Sequence, residues 1–374
     1  MNIKCNVLER HYNKYADEYK KAAIEALESG WYILGKRCER FENEFASYIG
    51  SKYCIGLNSG QDALTLAIRA LEIGEGDEVI VPTNTYIATV LAVTENGAVP
   101  ILVEPDEYYN INASCIEEKI TNKTKAIIAV HLYGQAANMN AIKEIADKHQ
   151  LYLLEDCAQS HGAAFDGQIT GTFGVMGCFS FYPTKNLGAF GDAGAIVTNN
   201  KELADKIKML RNYGSRTKYY NEITGVNSRL DEIQAALLSI KLSHIQEMTE
   251  ERLDMVRYFE ENIDNSVIVK PKTRNKADHV YHQYVIRCGH RDELQKYLSE
   301  NGIQTQIHYP VPPHLAQCYQ YLGYKQGDFP ITEQYADEVL SIPLYAGMTR
   351  DEQDYVIEAL NRFRIGGKVK NAGA

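Results

Sequence analysis

The chain has 374 residues, 45% of them hydrophobic, and carries a formal net charge of -10. That length and apolar content suffice for a large buried core in about two domains. The acidic balance argues against broad binding to nucleic acid or to an anionic membrane, which need a basic face, and leaves only a local basic pocket for a small anion.

The opening stretch MNIKCNVLERHYNKY contains no continuous apolar run. No later segment approaches the ~18 apolar residues of a membrane span, so a soluble, cytoplasmic protein is expected. From about residue 50 to 200, short apolar runs alternate with helical patterns. The strand candidates are DEVIVP (77–82), VPILVEP (99–105), AIIAVHLYG (126–134), LYLLEDCAQ (151–159), GCFSFYP (177–183) and GAIVTN (194–199). Between them lie helices such as GQDALTLAIRALEI, with Ala63, Leu64, Ala67, Ile68 and Leu71 on one face. Buried strands joined by crossover helices predict an α/β fold with a mostly parallel sheet, and ligands in such sheets sit at the strands' carboxyl ends.

Beyond residue 200 the pattern becomes helical: KELADKIKMLRNYG, then one long stretch from Asn227 to Ile263 that could link two lobes. The remainder reads as a smaller α+β lobe. The expected division is 1–245, with the N-terminal segment in the large lobe, and 246–374. Eight cysteines are scattered without a CxxC pair or clustered histidine, so neither a disulfide frame nor a metal site is expected.

Three segments carry candidate chemistry. Lys185, in SFYPTKNLGAFGDAGA, is a lysine among aromatic and small residues. A desolvated lysine loses its proton more readily and becomes a nucleophilic amine able to form a Schiff base. Taken alone, a snorkelling surface lysine explains the same letters better. The apolar strand LYLLEDCAQ ends in Glu155-Asp156, and 185 − 156 = 29 residues separate that aspartate from the lysine. A carboxylate and a lysine at one sheet edge meet the needs of pyridoxal 5'-phosphate (PLP), whose aldehyde takes the amine and whose ring nitrogen takes the acid. The bland alternative is a strand-end acid capping the next helix. Third, Ser59, Gly60 and Gln61 lead into a helix whose free N–H groups favour a phosphate, to which Ser180 could add a hydroxyl. The glycines of GAFGDAGA precede a strand instead of following one, so a dinucleotide fingerprint is rejected.

Taken in order, NSGQDAL, PTNTYIAT, EDCAQSHGA, FSFYPTKNLGAFGDAGAIVTN, RNYGS and GVNSRLDEIQAALLSIKL resemble the DegT/DnrJ/EryC1/StrS family of PLP-dependent nucleotide-sugar aminotransferases. The likeness runs from GWYILGKRCERFENEFA to the last helix. It implies the type I, aspartate aminotransferase-like fold. It also implies roles: Lys185 holds the cofactor's aldehyde, Asp156 pairs with the ring nitrogen and Gln159 bonds the ring hydroxyl. Ser59, Gly60, Gln61 and Ser180 hold the phosphate, and Tyr86 stacks on the ring. Asn227 reaches the cofactor of a neighbouring subunit, which implies a homodimer with active sites at the interface.

The family's usual amino donor is L-glutamate and its acceptor a nucleotide-linked keto sugar. The stretch GIQTQIHYPVPPHLAQ is similar to the 3-aminotransferases of dTDP-3-keto-6-deoxyhexoses. His308 and Tyr309, with Tyr182, are then expected to line the sugar site, although a proline-stiffened loop explains the same letters without the family. The product would be an amino sugar for a surface polysaccharide, such as an O-antigen or S-layer glycan, or for a glycosylated metabolite. A 4-aminotransferase of a dTDP- or UDP-linked 4-keto sugar is the alternative. A sugar dehydratase on the same fold would carry histidine in place of Lys185, and a purely regulatory protein would not need the whole set. His161, two residues past Gln159, is divided evenly between a substrate contact and a structural role.

Overall fold

The computed structural model describes residues 1–366. Strands β1 (Tyr53–Leu57), β2 (Glu78–Pro82), β3 (Val99–Val103), β4 (Thr124–Val130) and β5 (Tyr152–Asp156) come first in the chain. A small hairpin, β6 (Ala164–Phe165) and β7 (Gln168–Ile169), precedes β8 (Met176–Ser180) and β9 (Gly194–Thr198). Seven of these form one sheet in the order β1-β9-β8-β5-β4-β2-β3. Only β9 runs against its neighbours.

Every one of the six expected strands is present. The sequence reading missed β1, a five-residue run interrupted by Gly56, which forms the sheet edge beside β9. Much of its anchoring is remote. Glu42 Oε1 accepts the Gly56 N–H at 2.8 Å, and Arg211, itself paired with Glu42, donates to the Gly56 carbonyl at 2.7 Å.

Alternate residues of the strands feed two cores. Val79, Val81, Ile128 and Val130 pack toward the helix Gly60–Ala70, while Ile80, Ile127 and Ala129 pack toward the helix Met139–His149. Both faces are covered, which explains why these strands read as continuous apolar runs. A third core joins Phe179, Phe181 and Val197 to Phe41 and Phe45 of the helix Lys36–Ile49 and Leu238 of the helix Glu232–Ser243. Glu232 lies buried there because it caps another helix: its carboxylate accepts the N–H groups of Gly35, Arg37 and Cys38 at 2.8–3.0 Å.

The long helix expected from Asn227 is two helices, Glu232–Ser243 and Ile245–Asn262, broken at His244 (φ -108°, ψ 5°). Residues 227–231 are extended instead, with bridges from Asn227 to Asn212 and from Asp231 to Ile33. Apolar periodicity continues across both breaks, so the pattern alone conceals them.

Beyond a second small hairpin, β10 (Ser215–Thr217) with β11 (Tyr220–Asn221), the C-terminal lobe pairs β12 (Tyr284–Arg287) with β13 (Val339–Ile342). Its core includes Phe259, Tyr284, Ile286, Leu298, Leu340 and Phe363. Of the N-terminal segment, expected with the large lobe, Tyr15 and Tyr19 pack on Leu237 of the helix Glu232–Ser243, and the first few residues reach the C-terminal core. Ile3 is buried in it and bridges Ile303, and Arg10 pairs with Glu352 at 2.6 Å.

Candidate active site

One cavity of about 430 Å³ opens at the carboxyl ends of β1, β2, β4, β5 and β8, where the chain delivers its candidate residues. Ser59, Gly60, Gln61, Tyr86, Asp156, Gln159, Ser180, Tyr182, Lys185, His308 and Tyr309 all line it. Asn227 does not. It is exposed on the outer side, while the neighbouring Ser228 is buried and donates to Asp62 Oδ2 at 2.6 Å, in the first turn of the Gly60–Ala70 helix.

Lys185 sits on the turn after β8. Its N–H bonds the Tyr182 carbonyl at 2.8 Å, and Ala189 N–H bonds the Phe181 carbonyl at 2.7 Å, closing the turn. A side chain at Gly188 would place its Cβ 2.3 Å from the Pro183 oxygen, so glycine is required for that closure. From the other side, Asn186 donates to the Val280 carbonyl and accepts from His282 Nδ1, both at 3.2 Å. Burial pushes the Lys185 amine down to about 8, against the attraction of Asp156, which pulls it up. At pH 8 about half of it is neutral, compared with about 0.3% for a lysine of ordinary pKa.

Asp156 is the last residue of β5 and is buried. Thr89 donates to its Oδ2 at 2.8 Å and the Ala158 N–H to its Oδ1 at 3.1 Å. Burial raises its pKa, and those two bonds and Lys185 oppose the rise. Thr85 in turn bonds Thr89 at 2.7 Å, so a relay of two hydroxyls ends on the carboxylate. The sequence reading used Tyr86 of the same motif and passed over both threonines. Their i, i+4 spacing at a helix start was the available signal.

Behind the site, Glu155 accepts the N–H groups of Gly171, Phe173 and Gly174 at 2.7–2.8 Å, with His131 Nε2 at 3.1 Å. His131 Nδ1 accepts the Ala137 N–H. With Cys157 these groups lie within 4.8 Å of one another; the Glu155 carboxylate is engaged by three backbone N–H groups and by His131, so the pair braces the end of β5. His161 is fully buried, its ring against Phe179 and Phe181, and burial pushes it down to about 3. It is a core residue and does not line the cavity.

The Gly60–Ala70 helix points its amino end into the cavity. Ser59 caps it by accepting the Asp62 N–H at 3.1 Å, worth about 1 kcal/mol, and the Gly60 and Gln61 N–H groups have no partner within the helix. A Cβ on Gly60 would fall 2.5 Å from that of Ser180, so only glycine lets the serine hydroxyl approach this amino end. An anion cradle, a depressed lysine and a braced carboxylate in one cavity fit the phosphate, aldehyde and ring nitrogen of PLP.

The family model of the DegT/DnrJ/EryC1/StrS aminotransferases matches residues 13–361. The chain belongs to that family. It is 53% identical, over 94% of its length and 96% of the relative's, to the dTDP-3-amino-3,6-dideoxy-alpha-D-galactopyranose transaminase of Aneurinibacillus thermoaerophilus. It is 44% identical to the dTDP-3-amino-3,4,6-trideoxy-alpha-D-glucose transaminase of Streptomyces venezuelae, over 95% and 94% of the two chains. Among solved structures, S. venezuelae DesV in complex with a ketimine intermediate superposes with a TM-score of 0.94 at 44% identity, covering 96% of this chain and 98% of that one. The type I fold and an aminotransferase activity dependent on PLP follow from the family. Among the described residues no helix is long and apolar enough to cross a membrane.

Proposed function

We propose that this aminotransferase moves the amino group of L-glutamate to the 3-keto carbon of a dTDP-linked 6-deoxyhexose. The observation that carries the reading is the pairing of Lys185 and Asp156 in one cavity, in a chain 53% identical to a dTDP-3-amino-3,6-dideoxyhexose transaminase. When bound, PLP supplies an aldehyde for the amine and a ring that takes up the electron pair released at the donor's α-carbon.

The protein's own residues do the rest. Lys185 Nζ, half neutral near pH 8, accepts and returns the proton at the reacting carbon. Asp156, held by Thr89 and Ala158, keeps a carboxylate on the ring nitrogen's side. Gln159 is held by the Tyr133 N–H on its Oε1 at 2.6 Å and by donating from Nε2 to the Tyr309 hydroxyl at 3.2 Å, and its amide would take the cofactor's ring hydroxyl. The Tyr86 and Tyr309 rings, 5.1 Å apart, pack against each other on the cavity wall, where they would offer aromatic faces to the cofactor ring and the sugar. Tyr182, half exposed at the rim, would face the sugar, and His308 lines the same cavity.

The same reading makes the enzyme a cytoplasmic homodimer in which Asn227 serves the partner's site; the exposure of Asn227 outside its own cavity supports this. It divides the chain into a large lobe of residues 1–245, the N-terminal segment included, and a small lobe of residues 246–374, with Ile3 and Arg10 contacting the small lobe. The product feeds an amino sugar of a surface polysaccharide or a glycosylated metabolite.

The test incubates the PLP-loaded enzyme with glutamate and a panel of dTDP- and UDP-linked 3-keto and 4-keto sugars, and reads the aminated carbon by NMR. Amination at C3 of a dTDP sugar is expected. Amination at C4, or of UDP sugars alone, would overturn the assignment.

A further inference from the structure

The small lobe meets the cavity through His282, Gln283, His308 and Tyr309. Three polar side chains there close a ring: Gln283 Nε2 lies 3.0 Å from His308 Nε2, His308 Nδ1 lies 2.8 Å from Ser341 Oγ, and Ser341 Oγ donates to Gln283 Oε1 at 3.4 Å.

The donors and acceptors of this ring run in one direction. The Gln283 amide nitrogen can only donate, so His308 Nε2 must accept. His308 is therefore protonated on Nδ1 and donates to Ser341, whose own proton goes to Gln283 Oε1. A second ring proton on Nε2 would face the Gln283 amide donor, and burial holds the His308 ring down to about 4, so it is neutral at working pH. Ser341 sits in β13 directly opposite Val285 of β12, two residues past Gln283, so the ring is built on the paired strands of the lobe. The Tyr133 hydroxyl also donates to the His308 carbonyl and ties the loop to the large lobe.

Within this ring His308 has spent both nitrogens. Gln283 has not: one amide N–H and one carbonyl lone pair remain, on a half-buried side chain that lines the cavity. We propose that Gln283, held in one orientation by His308 and Ser341, is the small lobe's specificity contact for the sugar, donating to or accepting from a ring hydroxyl next to the reacting carbon. His308 then acts as a positioning residue. A sugar hydroxyl both donates and accepts, which matches a fixed primary amide. A carboxylate donor such as glutamate can only accept, so it would leave the Gln283 carbonyl without a partner, and a contact that uses both groups of the amide favours the sugar half-reaction. The inference rests on the amino-sugar reading given above.

The experiment uses the PLP-loaded enzyme in single turnovers, following cofactor absorbance, with L-glutamate in one arm and dTDP-3-amino-3,6-dideoxy-α-D-galactose in the other. For Gln283→Leu, the apparent dissociation constant of the sugar should rise about 10-fold and the glutamate arm should stay within about 2-fold. Ser341→Ala leaves the cavity wall intact and loosens the ring; it should weaken the sugar arm alone, by about 3-fold. Nitrogen-15 NMR should report the His308 Nδ1–H tautomer in the unmodified enzyme and, because the Gln283 amide still donates to Nε2, its retention in Ser341→Ala; in Gln283→Leu the tautomer is no longer fixed from that side.

An unchanged sugar arm in Gln283→Leu, equal losses in both arms, or an Nε2–H tautomer in the unmodified enzyme would overturn the inference alone. If the unmodified enzyme runs the glutamate arm and refuses both this sugar and its gluco-configured counterpart, the amino-sugar reading falls, and this inference with it.

Discussion

Replacing Thr89 with valine removes one hydroxyl from the relay that ends on Asp156 and preserves the shape of a fully buried side chain. The fold should survive, because no cavity opens and the change is nearly isosteric. The site should not. A hydrogen bond to a charged group is worth about 1.5–3 kcal/mol, which corresponds to a loss of roughly 10- to 150-fold in PLP affinity. The sign of the pH effect follows from the same bond. Thr89 opposes the rise that burial imposes on Asp156, so its loss lets that pKa climb further. The carboxylate then protonates at higher pH, and the acid limb of kcat/KM moves toward neutrality. Absorbance titration of the apoenzyme with PLP gives the affinity, and rates from pH 5.5 to 9 give the limb. Asp156→Asn supplies the control: in that background Thr89→Val should cost almost nothing further. Unchanged affinity and an unchanged acid limb in Thr89→Val would refute the relay.

Three further outcomes are expected. Loading of the apoenzyme by PLP should speed up as pH rises through about 8, where Lys185 loses its proton, and the midpoint should fall in Asp156→Asn because Asp156 holds the amine's pKa up; stopped-flow absorbance at a series of pH values checks both. Lys241 is buried, with the Gly188 carbonyl at 3.2 Å as its hydrogen-bond partner and Arg252 repelling it, and burial drives its pKa from 10.5 down to about 7. Its folded pKa lies below its unfolded one, so the destabilisation is absent above about pH 10.5 and complete below about 7. The ceiling is about 5 kcal/mol, less about 1 for the lost hydrogen bond, and Lys241→Met should raise Tm most at pH 6.5 and progressively less toward pH 10. Asn227→Ala should release PLP faster on dialysis while leaving Lys185 chemistry in the loaded fraction intact, measured by residual cofactor absorbance in a dimer isolated by gel filtration; retention equal to that of the unmodified enzyme would count against a role across the interface.

What was legible in the sequence divides along a physical line. Asp156 ends one apolar strand and Lys185 lies on the turn just after another, so strand direction carries both to one sheet edge. The cap at Ser59 is likewise local, written in four consecutive residues. Gln283 and His282 reach the site only through the packing of the small lobe against the Lys185 turn, and no spacing within their own segment announces it. The break at His244 was hidden because apolar residues continue in register on both sides, and β1 because Glu42 and Arg211, far away in sequence, complete its hydrogen bonding.

The burial of Ile3 among residues of the C-terminal lobe sets an order in time. A ribosome adding 5–20 residues per second makes Ile303, the bridge partner of Ile3, only about 15–60 seconds after Ile3 itself. Through that interval the sheet and its cavity can form, while the first residues have nothing to dock against. The start of the chain is therefore among the last parts of the molecule to find its place, and a nascent chain carrying a complete Lys185 turn still awaits the lobe that holds Gln283 against it.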